Sequence, residues 1–195
     1  VQKIDSKAKL DALDTDGKRT QVAWFALADK DLNVKVDNTS YTMAEILDAC
    51  GGKVLPLFET ADTETAEAFA SYMAKNGEYD VILASGQTEA LAAAWETNSA
   101  LRYAYLAGEI TEENTVAKVA RDTHTGGATI AILQPNDALD RAAAEYLQLR
   151  GIAAWLDSGK GTDEHNVRAA VDCGANGVTV KDFDEAYALY EMVKE

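Results

Sequence analysis

The chain has 195 residues, 47% of them hydrophobic and 26% charged, proportions that exclude intrinsic disorder and collagen-like order. Thirty-three acidic residues against 18 basic ones leave a formal net charge of -15, which repels phosphate backbones and anionic bilayers and argues against nucleic-acid or membrane-surface binding through general electrostatics. No apolar run nears the roughly 20 residues of a membrane helix, and residues 1–10 (VQKIDSKAKL) hold no apolar core of a leader, so neither membrane insertion nor a signal peptide is expected from these residues.

In chain order, residues 21–29 (QVAWFALAD) predict a strand and residues 42–52 (TMAEILDACGG) a short helix that stops on two glycines. A strand–helix cycle follows. Residues 53–59 (KVLPLFE) lead into a helix over 64–77, with Asp62 or Thr63 at the N-cap and Gly77 at the C-cap. The next strands are 79–85 (YDVILAS), 101–107 (LRYAYLA), 128–133 (ATIAIL), 152–156 (IAAWL) and 177–180 (GVTV). Their helices span 87–98, 111–122, 136–151, 162–175 and 182–195. Neither of the two prolines stands in a linker and no charge block divides the chain, so one domain over residues 1–195 is expected. Cys50 and Cys173 show no metal-ligand spacing and allow one disulfide at most, which leaves the compartment open.

Strands that read as continuous apolar runs are covered on both faces, the mark of a parallel sheet wrapped in helices. A TIM-like (β/α) barrel and an open doubly wound sheet both satisfy that pattern. Neither GxGxxG nor GxxxxGK[ST] occurs, and Ser158-Gly159-Lys160-Gly161-Thr162 lacks the leading glycine of a phosphate loop. Alanine-rich helices, such as those holding Ala66-Ala68-Ala70 and Ala142-Ala143-Ala144, suit close helix–sheet packing.

The last third carries a resemblance. Gly151 precedes a strand that bears Trp155, and Cys173-Gly174-Ala175-Asn176-Gly177-Val178 follows a "GvDGi" pattern. Upstream, Tyr41-Thr42-Met43-Ala44-Glu45-Ile46-Leu47 matches a "pTLeEvL" helix, residues 53–59 a "vnIEiK" strand, and residues 81–85 a "viisSF" strand. Over residues 41–190 the chain resembles the glycerophosphodiester phosphodiesterases. The resemblance implies a TIM-like barrel, irregular or incomplete at its N-terminal side, and metal-assisted phosphodiester hydrolysis by a histidine pair. It also implies a Ca²⁺ or Mg²⁺ ion held by carboxylates, with Glu59 at the metal-binding position. Trp155 falls on a tryptophan that lines the substrate pocket, although a tryptophan in an apolar strand equally suits a barrel core. Ser85 falls on the family's serine, where turn chemistry is the alternative. Lys181 stands after the last strand, where it would face an anionic ligand or solvent.

The departures are specific. The family's "HRG", "HD" and "E.D" motifs are absent, residues 1–38 contain no histidine, and the family's lysine falls on Ala61. The two histidines, His124 and His165, fall outside those motifs; Asp163 and Glu164 beside His165 suit a helix start by the dipole. The chain is therefore expected to be a diverged or catalytically incomplete phosphodiesterase-like barrel. The alternatives are a non-catalytic binding or scaffold module on the same barrel, taking a small phosphorylated or polar ligand, and an unrelated open-sheet α/β enzyme. A barrel with about seven strand–helix units would leave two strand edges. Residues 21–29 are expected to close them irregularly, or a second copy of the chain to pair with them as a homodimer.

Overall fold

The computed structural model describes residues 1–13, 21–78, 80–159 and 161–193. Tyr79 in one expected strand, Lys160 in the loop compared above with a phosphate loop, and residues 194–195 of the last expected helix lie outside them.

The chain opens with β1 (Gln2–Lys3), α1 (Lys7–Asp11) and β2 (Val22–Ala26), then an antiparallel hairpin of β3 (Val34–Val36) and β4 (Thr39–Tyr41), and α2 (Met43–Cys50). It continues through β5 (Leu55–Glu59), α3 (Thr63–Asn76), β6 (Ile82–Ser85), α4 (Thr88–Thr97), β7 (Arg102–Glu109) and α5 (Val116–Thr125). The last units are β8 (Ile130–Gln134), α6 (Arg141–Gln148), β9 (Ala153–Leu156), α7 (Asp163–Cys173), β10 (Gly177–Val178) and α8 (Phe183–Val193). Helix ends follow local chemistry. Thr42 and Glu45 form a reciprocal capping box, Asp62 accepts from Thr65 N–H, and Gly77 turns out of α3 at φ 68°. Among the described residues no helix is long and apolar enough to cross a membrane.

Eight parallel strands form one sheet in the order β1-β2-β5-β6-β7-β8-β9-β10, each followed by a helix. The order follows the chain without reversal, so the sheet has no switch point of the doubly wound kind. Its two ends meet. Gln2 bridges Val180 in parallel, Val180 N–H donates to Val1 O at 2.8 Å, and Val1 N donates to Val178 O at 2.8 Å. The result is a TIM-like barrel, irregular at a seam where β1 and β10 have two residues each.

The seam corrects one expectation. Residues 21–29 contain a regular strand, β2, which pairs with β5 through five successive residues from Val22↔Leu55 to Ala26↔Glu59. Residues 1–3 make the closure, in a stretch too short to show an apolar run. The edges on which the expectation of a second copy rested are paired with one another.

Alternation along the strands divides the core. Val22, Trp24, Leu57, Ile82, Ala84, Ala104, Ile130 and Ile132 fill the barrel interior. Their neighbours Ala23, Phe25, Phe58, Leu83, Tyr103, Ala131 and Ala154 face the helices and pack with Ile46, Phe69, Leu91, Val119 and Leu147. Both sets are buried, which is why the strands read as unbroken apolar runs.

Candidate functional site

Barrels of this type place their chemistry at the carboxyl ends of the strands. Four strands bring a connected set of side chains there. Lys3 closes β1, Trp24 lies on β2, Glu59 ends β5 and Asp157 follows β9. Lys3 Nζ lies 2.8 Å from Asp157 Oδ2 and 4.3 Å from the centroid of the Trp24 ring. Trp24 Nε1 in turn donates to Glu59 Oε2 at 2.9 Å. The ammonium thus meets one carboxylate directly and polarises an indole that holds a second.

The opposite rim is shaped by a bulge. The β7–β8 register shifts between Leu106 and Gly108, and Gly108 takes φ 69°. Asn114 Nδ2 donates to both Ala107 O and Glu109 O at 2.8 Å, tying the bulge to the loop before α5. Glu109 then lines a cavity of about 630 Å³ together with Lys3, Gln134, Asp157, Ser158 and His165.

The four residues singled out in the sequence separate in the structure. Glu59 stands half-buried at the end of β5, its carboxylate engaged by Trp24. Trp155 is half-buried on β9 and packs with the interior cluster, its ring against Gly177. Ser85 is fully buried, and its hydroxyl accepts from Gln87 N–H at 3.1 Å in the turn into α4. Lys181 is exposed, and its ammonium is bonded to Gly161 O at 2.8 Å. Glu59 and Trp155 therefore belong to the interior and its mouth, whereas the Ser85 hydroxyl is committed to a turn and Lys181 to a loop-to-loop tie. Asp163 is structural: its two carboxylate oxygens accept from Lys181 N–H at 2.9 Å and Asp182 N–H at 2.8 Å. His165 reaches the cavity rim, and His124 lies in the last turn of α5, at the opposite end of the barrel.

Lys3, Trp24 and Asp157 were not singled out in the sequence. Asp157 does carry a signal, since it directly follows an apolar run, where barrel strands open onto the mouth; Trp24 carries none, because it sits inside the unbroken apolar run 22–27. Lys3 carries none, because β1 is too short to be read as a strand.

The fold has counterparts among solved structures. A glycerophosphodiester phosphodiesterase from Thermotoga maritima superposes with a TM-score of 0.68 over 100% of this chain and 96% of its own, at 14% identity. The fold is that of the glycerophosphodiester phosphodiesterases. A glycerophosphoryl diester phosphodiesterase from Parabacteroides distasonis matches with a TM-score of 0.71 over 97% of this chain and 81% of its own, at 12% identity. A longer chain from Silicibacter pomeroyi matches at 0.64 and 12% identity over 80% of this chain, which spans 58% of that protein's length. No family model and no curated protein matches the sequence.

The resemblance implies a divalent cation, and the residues can be tested against one. Ca²⁺ takes six to eight oxygen ligands and Mg²⁺ near-octahedral ones, with carboxylates at the heart of either set. Among the described residues no group of three or more His, Cys, Asp or Glu side chains converges as a metal site. Glu59 holds an indole N–H, and Asp157 is paired with an ammonium. These residues do not fit a divalent ion.

Proposed function

We propose that this chain is a phosphodiesterase-type barrel that does not hydrolyse phosphodiesters by histidine-pair and metal chemistry, and that keeps its mouth as a site for a small polar ligand. The observation that carries this reading is the Asp157–Lys3–Trp24–Glu59 network. It engages both strand-end carboxylates internally, one by an ammonium and one by an indole N–H, where hydrolysis would need a proton acceptor, a proton donor and a Lewis acid arranged around a phosphate. The competing reading is a working hydrolase with a rebuilt acid–base pair. It is favoured by one feature, the presence of His165 and Asp157 in the lining of a single cavity.

The test is hydrolysis of bis(p-nitrophenyl) phosphate by folded protein with Ca²⁺, Mg²⁺ or Mn²⁺, and with EDTA as control. No turnover above the buffer rate is expected with any ion. Metal-dependent turnover that disappears in Glu59→Ala or His165→Ala would replace this reading by the hydrolase one.

A further inference from the structure

Given the reading of the mouth as a ligand site, what holds Lys3 there indicates the class of ligand. The Lys3 ammonium sits in a two-sided cradle. Asp157 Oδ2 accepts from Nζ at 2.8 Å, and the centroid of the Trp24 ring lies 4.3 Å away. An aromatic face beside a carboxylate recognises an alkylammonium, since the ring meets the charge and the methylenes while the carboxylate takes an N–H.

The cradle is rigid. Trp24 is 4% exposed, Glu59 Oε2 holds its indole N–H at 2.9 Å, and its strand pairs with β1 on one side and β5 on the other. Asp157 is tied to β8 by its main-chain N–H, which donates to Leu133 O at 2.8 Å. The bond to Glu59 also polarises the indole in the sense that strengthens its hold on a cation.

The occupant is the mobile part. The Lys3 side chain is 43% exposed, and an ion pair open to solvent on one side contributes little net free energy. A lysine stem also loses rotamer freedom when it is held in one place. An ammonium from solution that makes the same contacts can therefore take the cradle while Lys3 swings out to water. Room for it adjoins the pair, because Lys3 and Asp157 both line the cavity of about 630 Å³ that Glu109 and His165 also line. The long-range field favours cations: 33 acidic residues against 18 basic ones is a balance that stays strongly negative with both histidines protonated.

We propose that the mouth binds a small primary alkylamine, held as its ammonium between Trp24 and Asp157, and that Lys3 is a tethered competitor which fills the site when no amine is present. The ammonium must be primary in kind because Asp157 takes an N–H, which a quaternary ammonium lacks.

The experiment follows the indole Nε1–H resonance of Trp24 in ¹⁵N-labelled protein during titration with n-butylammonium chloride at constant ionic strength, alongside tetramethylammonium chloride and n-butanol. n-Butylammonium should shift the resonance saturably, and the other two should not over the same concentrations. Lys3→Ala should tighten n-butylammonium binding about fivefold, the gain that corresponds to removing a competing pair worth about 1 kcal/mol. Asp157→Asn should weaken it by a similar factor. The three-probe comparison on the unaltered chain stands without either variant. No saturation with n-butylammonium, saturation by n-butanol or tetramethylammonium at equal or lower concentration, or unchanged affinity in Lys3→Ala would overturn the proposal. The two readings fail separately. Phosphodiester turnover would sink the non-hydrolytic reading and leave ammonium binding standing, whereas a mouth that takes no ammonium and shows no turnover would do the reverse.

Discussion

Lys3 Nζ and Asp157 Oδ2, 154 positions apart in the chain, lie 2.8 Å from each other across the mouth of the barrel. The pair joins the strand that closes the seam to the end of β9, one strand beyond β10. The Lys3 side chain is 43% exposed and that of Asp157 15%, so solvent screening keeps the coupling modest. A double-mutant cycle with Lys3→Met and Asp157→Asn, read by urea unfolding, should give a coupling energy of about 1 kcal/mol that shrinks in high salt. Zero coupling would mean that the pair does not help hold the seam.

Two glycines are set by tryptophans. A Cβ on Gly177 would stand 3.0 Å from ring carbons of Trp155, and one on Gly127 would stand 2.6 Å from the Trp95 ring, at a backbone φ of 67°. Gly127→Ala should therefore cost more than Gly177→Ala, the first about 2–4 kcal/mol and the second about 1–2, by overpacking with and without backbone strain. Gly77→Ala, at φ 68° with open space around it, should fall at or below the smaller value. Thermal unfolding of the three variants checks the order, and equal costs would show that the rings move aside freely.

Asp163 is 6% exposed and accepts two backbone N–H groups at the start of α8. Asp163→Ala would strand both donors close to the seam, at a cost of about 2–4 kcal/mol. Amide exchange should accelerate first at Lys181 and Asp182 and then along α8. Uniform acceleration across the barrel would argue against this local role.

Burial pushes the Cys50 thiol up to about 12 from its ordinary value of 9.0, and burial likewise raises Cys173, Tyr103 and Tyr105. Each group is more easily ionised in the unfolded chain than in the folded one. Their contribution to stability is therefore complete below pH 9 and declines as pH rises through 9 toward 12. Urea midpoints measured at pH 8, 9.5 and 10.5 should fall in that order, and Cys50→Ala should flatten the decline. Iodoacetamide should leave both cysteines unmodified in native protein at pH 8, because each is a buried thiol.

The parts legible in the sequence were those that depend on neighbours along the chain. The apolar runs at 55–59, 82–85, 130–134 and 153–156 appear as strands because both faces of a barrel strand are covered. Asp62, Gly77 and the Thr42 box end their helices because a cap needs only three or four residues. Glu59 was placed at a strand end on the same local grounds. The hairpin of β3 and β4 was missed, since its strands have three residues each and its buried valines, Val34 and Val36, form no run.

The sequence alone determined a parallel, helix-covered sheet and the positions of most of its strands, because burial on both faces and capping are written in local patterns. Only the tertiary structure decided that the sheet closes and what stands at its mouth. Closure rests on main-chain hydrogen bonds and a bridge between residues 1–2 and residues 178 and 180, and main-chain groups are the same whatever the side chain. The mouth rests on Lys3, Trp24, Glu59 and Asp157, which come from four separate strands. Their pairing depends on register around the barrel, which no local pattern records.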